Sequence, residues 1–164
     1  MYLPKLKEFF EEYNLKQKDV ATKLGISPKT ISGWANYHDI IPLEKLVKLS
    51  NEYKISIDYL IGKTRNNNYK KLCTDKVIIG KRLAKVRKDN DKTIEYISKK
   101  INISNGAYCD YENGRNLIKT IYLLSLIDTY HNLSIDELLK EKNSWNQLFF
   151  LSFNYCFFIY FDSK

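Results

Sequence analysis

The stretch QKDVATKLGISPKTISGW, residues 17–34, decides the fold of this chain of 164 residues. Its apolar residues recur at the 3.6-residue period of an α-helix and do not alternate as in a strand. Gly25 is the residue type that most readily ends a helix in the left-handed conformation. Ser27 and Pro28 then suit the cap and the first position of a second helix. The pattern predicts helices 17–24 and 28–35, with Val20, Ala21, Leu24, Ile31 and Trp34 on their buried faces and Ile26 in the turn.

The flanking sequence extends this pair into a predicted series of five helices. Pro4 is placed to start a helix at the beginning of the chain. The segment LEKLVKLSNEYKISIDYLI, residues 43–61, predicts a helix at about 43–53 and a last turn near 57–61. The inner face of the first helix is expected to carry Leu6, Phe9, Phe10 and Tyr13. No strand-and-turn pattern occurs, so the predicted fold class is all-α.

Together with this downstream segment, residues 17–34 resemble the Cro/lambda-repressor-like (Xre-type) helix-turn-helix family. The resemblance covers residues 4–62 and, more loosely, 79–141. It implies that helix 28–35 enters the major groove of double-stranded DNA while the preceding helix crosses the phosphate backbone. By position, the resemblance implies DNA contacts at Gln17, Ser27, Pro28, Lys29, Thr30, Ser32, Gly33, Asn36, Tyr37 and His38. The implied function is a sequence-specific transcriptional regulator of bacterial or phage type, acting as a repressor.

Within the resemblance, each of these side chains has an implied role. Gln17 takes the place of a glutamine that binds backbone phosphate. Lys29 can donate to guanine O6 and N7 or to a phosphate, and Thr30 and Ser32 offer hydroxyls or a methyl group. Gly33 permits a close approach to the groove. The three residues after the helix are implied phosphate contacts, although the usual glutamate and glycine of that segment are missing.

An internal repeat predicts a second copy of the domain. Residues 23–34 align with KINISNGAYCDY, residues 100–111, at an offset of 77, and SIDYLI (56–61) matches SIDELL (134–139) at 78. The segment between the copies has five basic residues and one acidic residue, a composition typical of a solvated linker. The predicted organisation is a helix-turn-helix domain at 1–62, a basic linker at 63–77, a second, degenerate helix-turn-helix domain at 78–142, and an aromatic apolar tail at 143–164.

The second copy departs from the first on its DNA-reading face. Ile94 replaces the glutamine, Gly106 replaces the lysine, and Asp110 would face phosphate or require a cytosine amine. Auxiliary DNA contacts are expected at Thr93, Asn105, Arg115 and Asn116, with Lys81, Arg82, Lys85, Arg87 and Lys88 of the preceding helix near phosphate. Two roles stay open for this copy, an auxiliary DNA contact and a module that pairs chains.

The tail holds nine of the 23 aromatic residues and no charge between Lys142 and Asp162. Three roles stay open: a buried packing or dimer element, a membrane or interface anchor, and an accidental extension. The 17 residues from Trp145 to Phe161 are short for a membrane span, which needs about 20 apolar residues. We expect the second copy and the tail to associate chains, so that a homodimer reads a two-fold-related site.

Composition narrows the functional class. The formal charge of +8 favours a polyanionic partner. Three cysteines without a C-x-x-C pair predict neither a disulfide framework nor a zinc site, and His38 and His131 lack ligands at metal spacing. No catalytic constellation, cofactor or metal is therefore predicted, and an enzyme is the least favoured class. The N-terminus has no apolar signal-peptide core, so a cytoplasmic location is expected. The alternative function is a protein-interaction regulator, antitoxin-like or anti-repressor, built on the same fold.

Overall fold

The computed structural model describes residues 3–130 and 132–142, and within these ranges the regular secondary structure is entirely α-helical. The helices are α1 (Leu6–Glu12), α2 (Gln17–Leu24), α3 (Pro28–Ala35), α4 (Leu43–Tyr53), α5 (Ile57–Leu60), α6 (Lys76–Asp89), α7 (Ile94–Lys100), α8 (Asn105–Glu112), α9 (Thr120–Thr129) and α10 (Ile135–Leu139). The predicted all-α class is therefore confirmed for the described part of the chain.

Helices α2 and α3 form by the local signals read from the sequence. Gly25 has a φ of 66°, and the Ile26 N–H donates to the Ala21 carbonyl at 3.0 Å, which closes the end of α2. The Ser27 hydroxyl accepts from the Thr30 N–H at 3.2 Å and caps α3. The buried faces carry the predicted residues, Val20, Ala21, Leu24, Ile31 and Trp34. Both helices have the predicted bounds.

The first helix of each series differs from its prediction. Helix α1 ends at Glu12, and Tyr13 is 50% exposed, so its predicted place on the inner face is wrong. The physical reason is that the chain leaves the helix there and turns through Asn14, which has a φ of 49°. Helix α6 begins at Lys76, inside the predicted linker 63–77, because the Asp75 carboxylate accepts hydrogen bonds from the first free N–H groups and caps the helix.

The second series of helices has nearly the same spacing as the first. Helices α7 to α10 begin 77 or 78 residues after α2 to α5. Asn102, at φ 57°, takes the left-handed position that Gly25 occupies in the first series. The Ile103 N–H donates to the Ser98 carbonyl at 2.9 Å, and Ser104 caps α8. Asparagine tolerates the left-handed region, so the turn survives the loss of glycine.

The segment between α5 and α6 is only partly solvated. Residues 65–68 are exposed, whereas Leu72 is buried. The Asn51 side chain holds the Leu72 backbone through both of its polar atoms, at 2.9 and 3.0 Å. The Cys73 N–H donates to the Leu139 carbonyl at 2.8 Å, which attaches the segment to the end of α10. The solvated linker expected from composition is thus docked on both series of helices.

Buried apolar side chains from both series form one continuous core. Within the described ranges, none of the helices combines the length and the apolar character that a membrane crossing requires. The predicted roles of the aromatic tail fall on residues outside the described ranges.

Candidate nucleic-acid interface

The residues of helix α3 include no carboxylate. Pro28 and Lys29 are exposed in its first turn, and Asn36 is exposed where the helix ends. The Asn36 amide donates to the Ser32 carbonyl at 2.9 Å and to the Ser32 hydroxyl at 3.2 Å. Lysine and asparagine donate hydrogen bonds to base edges and phosphates, so these exposed residues suit a polyanion with exposed acceptors.

The hydroxyls at the start of α3 have local partners. Ser27 and Thr30 share a hydrogen bond of 2.9 Å between their hydroxyl oxygens. The Ser27 oxygen also accepts the Thr30 N–H as the helix cap. Ser27 is therefore first of all a structural residue that sets the start and direction of α3.

The N-terminus of α2 has no side-chain cap and is exposed. Lys16, which precedes it in an extended conformation, makes no side-chain cap, and Gln17 is the exposed first residue. The first N–H groups of a helix have no intrahelical partner and favour an anion. Lys16 and Lys18 are exposed there, and Asp19 of the same turn offsets one of their two positive charges. This end of α2 is chemically suited to a phosphate.

Three predicted contacts are less simple than the resemblance implies. A Cβ on Gly33 would lie 2.7 Å from the Asp39 carboxylate, so the close neighbour of this glycine is within the chain. The Tyr37 hydroxyl donates to the Pro4 carbonyl at 3.2 Å and is occupied within the fold. His38 is exposed, and its backbone N–H donates to the Gly33 carbonyl at 2.8 Å.

Helix α8 presents a different face. Asn105 and Gly106 are exposed, and no heavy atom lies within 4 Å of a Cβ built on Gly106. Arg115 donates to the Asp110 carboxylate at 3.0 Å, and Asn116 is exposed beside them. The negative charge that the sequence places on this face is therefore offset by a neighbouring arginine. Thr93, the remaining predicted contact, caps α7 by accepting from the Tyr96 N–H at 3.1 Å.

Two of the α6 cations expected near phosphate are used inside the fold. Arg87 binds the Glu112 carboxylate with two bonds of 2.7 and 2.9 Å. Arg82 donates to the Leu138 carbonyl at 2.9 Å and to the Lys140 carbonyl at 2.6 Å. Both guanidinium groups are therefore engaged with acceptors inside the fold, and their contact with phosphate stays a prediction. Lys81 and Lys88 remain exposed, and Lys85 pairs with Asp89 at 2.7 Å.

One repeated motif has a structural role beyond marking the repeat. The motif is Ser-Ile-Asp, which occurs at 56–58 and again at 134–136. In the structure, Asp58 and Asp136 are both buried and accept hydrogen bonds from the opposite copy of the motif. Burial is the main cause that raises the pKa of Asp136. An acidic residue that recurs beside the helix cap in both copies is the sequence signal that indicates such a contact.

Comparison with known proteins agrees with this geometry. Residues 6–60 match the family model described as Helix-turn-helix. The chain is 33% identical over 64 residues to an uncharacterized HTH-type transcriptional regulator, YobD, of Bacillus subtilis (strain 168), a match of 39% of this chain and 57% of the relative. It is 37% identical over 59 residues to the HTH-type transcriptional regulator ImmR of the same strain, a match of 36% of this chain and 46% of that protein.

The chain thus spans about half the length of the curated relatives it matches. No solved structure matches it significantly. The family model covers the first series of helices, where the open end of α2 and the exposed residues of α3 lie. Residues 6–60, which comprise α1 to α5, are a helix-turn-helix domain.

Proposed function

We propose that this protein is a transcriptional regulator that binds double-stranded DNA through α2 and α3. The observation that carries the proposal is the exposed first turn of α3, with Lys29 exposed and no carboxylate in the helix, together with the uncapped N-terminus of α2. In a helix-turn-helix, the second helix enters the major groove and its N-terminal residues meet base edges. The two similar proteins are named transcriptional regulators, which supports the same role here.

The roles of individual residues follow from their positions. Lys29 at the start of α3 is the reader of a base edge, and Ser32 lies one turn further along the same helix. Gln17, at the open end of α2, binds a phosphate. Phosphate contacts position the protein without reading sequence, whereas base contacts discriminate between sequences.

The helices α6 to α10 are proposed to be a second, degenerate helix-turn-helix domain. Their near-equal spacing to the first series, the left-handed Asn102 and the cap at Ser104 support this assignment. Repression is proposed as the outcome of binding, because a protein seated in the major groove of a promoter excludes others from the same surface.

Selection of bound duplexes from a random-sequence library with the full chain tests the proposal. On the enriched duplex, Lys29→Ala or Ser32→Ala should cost about 1–3 kcal/mol and relax the preference at one base pair. Gln17→Ala should weaken all duplexes alike, because its phosphate contact carries no base information. Lys48→Ala, which removes an exposed lysine of α4, is the charge-matched control and should leave the base preference unchanged.

Two results would contradict this assignment. Equal losses on all sequences from every one of these variants would mean that α3 does not face the bases. If the library yields no enriched duplex, sequence-specific DNA binding is excluded. The alternative, a regulator that binds another protein, would then be favoured, and capture of a partner protein would test it.

A further inference from the structure

The helices α5 and α10 exchange hydrogen bonds reciprocally. The Asp136 carboxylate accepts from the Ser56 hydroxyl, from the Ile57 N–H at 3.0 Å and from the Asp58 N–H at 3.2 Å. The Asp58 carboxylate in turn accepts from the Ser134 hydroxyl, from the Ile135 N–H at 2.9 Å and from the Asp136 N–H at 3.4 Å. Each carboxylate therefore caps the N-terminus of the opposite helix.

A second contact joins equivalent segments of the two series. Residues 40–44 and 117–121, which differ by the repeat offset of 77, line opposite sides of one groove. Ile41 and Ile118 are buried there, and the Thr120 hydroxyl donates to the Ile41 carbonyl at 2.6 Å. The seam between the two series thus has an apolar part and a polar part, each made by matching residues.

Contacts in which each residue meets its own counterpart define a two-fold relation. Here the relation is internal and approximate, because both halves belong to one chain. A two-fold rotation does not change an element's position along the rotation axis. Corresponding elements of the two halves therefore lie at the same height along that axis. Helices α3 and α8 correspond, since they begin 77 residues apart in the two series, and so they lie at one level on either side of the axis.

The connecting segment fastens this arrangement. Lys63 donates to the Leu133 carbonyl at 2.6 Å, and Lys70 pairs with Glu137. Lys71 pairs with Glu141 at 2.9 Å, and the Glu141 N–H donates to the Lys71 carbonyl at the same distance. The two halves are therefore held together within one chain by the connecting segment as well as by the seam.

From this seam we infer that a single chain binds duplex DNA as an internal dimer, on an asymmetric site with two unequal halves. The inference rests on the proposed function. Dimeric helix-turn-helix proteins bind half-sites about one helical turn apart, and the symmetry of the site mirrors that of the protein. An approximate two-fold axis inside one chain accordingly matches a site whose two halves are spaced alike but differ in sequence.

The two half-sites are unequal because the side chains at corresponding positions of the two halves differ. In the first half, Lys29 and Gln17 supply a base contact and a phosphate contact. At the corresponding positions the second half has Gly106 and Ile94, neither of which has a polar side chain. The exposed Asn105 keeps an amide that can bond adenine, and the Asp110–Arg115 pair carries no net charge. The α8 half-site is the weaker one.

The test uses the full chain and the duplex enriched from a random library. The expected result is one chain per duplex by native mass spectrometry, and a selected sequence with a strong and a weak element about 10–10.5 base pairs apart. Lys29→Ala should relax preference only in the strong element and Asn105→Ala only in the weak one. Inserting five base pairs between the elements turns one half-site to the opposite side of the duplex, so affinity should fall about tenfold or more.

Two chains on a palindromic duplex would overturn the internal dimer, because the second recognition helix would then come from another molecule. A single selected element that is indifferent both to Asn105→Ala and to the insertion would overturn it as well. In either case, relaxation of preference by Lys29→Ala would leave the proposed DNA-binding function standing. Without an enriched duplex or an effect of Lys29→Ala, the proposed function itself fails.

Discussion

Gly80 lies inside α6 where that helix crosses the end of α8. A Cβ at this position would lie 2.4 Å from the Tyr111 carbonyl oxygen and 2.6 Å from the Glu112 carbonyl oxygen. Both neighbours are backbone atoms, so no side-chain rotation can relieve the contact. The absence of a side chain at this one residue therefore sets how closely the two helices pack.

Gly80→Ala should lower the free energy of unfolding by about 1–3 kcal/mol, because α6 and α8 must separate to admit the methyl group. The matched control is Gly106→Ala in α8, where a Cβ meets no atom within 4 Å. There alanine should stabilise by up to about 1 kcal/mol, since it lowers the conformational entropy of the unfolded chain. Urea unfolding of the full chain measures both. Equal effects of the two substitutions would contradict the proposed close packing.

Helices α6 and α8 are also joined by a nearly buried ion pair. The side chains of Arg87 and Glu112 are 12% and 8% exposed, and the guanidinium also donates to the Lys92 carbonyl at 2.9 Å. The hydrogen bond to Glu112 is the main cause that raises the pKa of Arg87. Burial beside the pair raises the pKa of Tyr130 to about 12 and also raises that of Tyr108, so both phenols stay protonated at neutral pH.

Glu112→Gln should cost about 3 kcal/mol of stability at neutral pH, because it leaves the guanidinium charge enclosed without its counter-ion. Asp110→Asn provides the exposed comparison. Its partner Arg115 is 72% exposed, and pairs in water contribute about 0–1 kcal/mol. Denaturant unfolding distinguishes the two variants. A loss at Glu112 no larger than that at Asp110 would show that solvent reaches the pair.

In the whole molecule, the reciprocal bonds of Asp58 and Asp136 make the two halves one unit. Without the other half, α5 and α10 would each lack hydrogen-bond partners for their N-terminal N–H groups and for their buried aspartate. The pKa of Asp136 is raised mainly by burial, and the nearby Asp58 carboxylate acts in the same direction. The native state therefore binds a proton at Asp136 more tightly than the unfolded chain does.

This linkage gives a pH dependence with a definite sign. The relevant pH window runs from about 4, the pKa of aspartate in the unfolded chain, up to the higher native pKa of Asp136. As pH rises through this window, the free energy of unfolding falls, because Asp136 loses its proton more readily in the unfolded chain than in the native state. Asp136→Asn removes the titration, so the stability of the wild type minus that of the variant should fall across this window. Unfolding free energies at a series of pH values measure the difference.

Asp89→Asn, at an exposed carboxylate paired with Lys85, is measured alongside as the exposed Asp→Asn comparison. A wild-type advantage over Asp136→Asn that grew with pH would contradict the prediction. It would mean that the three donors around the carboxylate outweigh the cost of its burial.

Local sequence signals are sufficient to predict the bounds of α2 and α3, the turn between them and the exposure of the leading contact residues. Gly25, Ser27 and Pro28 act on backbone groups within a few residues, so their effects are visible in the local pattern. The exposed Lys29 and Gln17 followed from the same helical period. For these features no knowledge of distant partners was needed.

Which polar side chains are bound within the fold, and how the two halves contact each other, depends on tertiary packing. The Tyr37 hydroxyl donates to the carbonyl of Pro4, which is 33 residues away in the sequence. Arg87 binds the carboxylate of Glu112, which is 25 residues away. Asp58 meets residues of the second copy 76 to 78 positions further along the chain. Such pairings depend on how helices pack in space, and residue type and local spacing do not encode them.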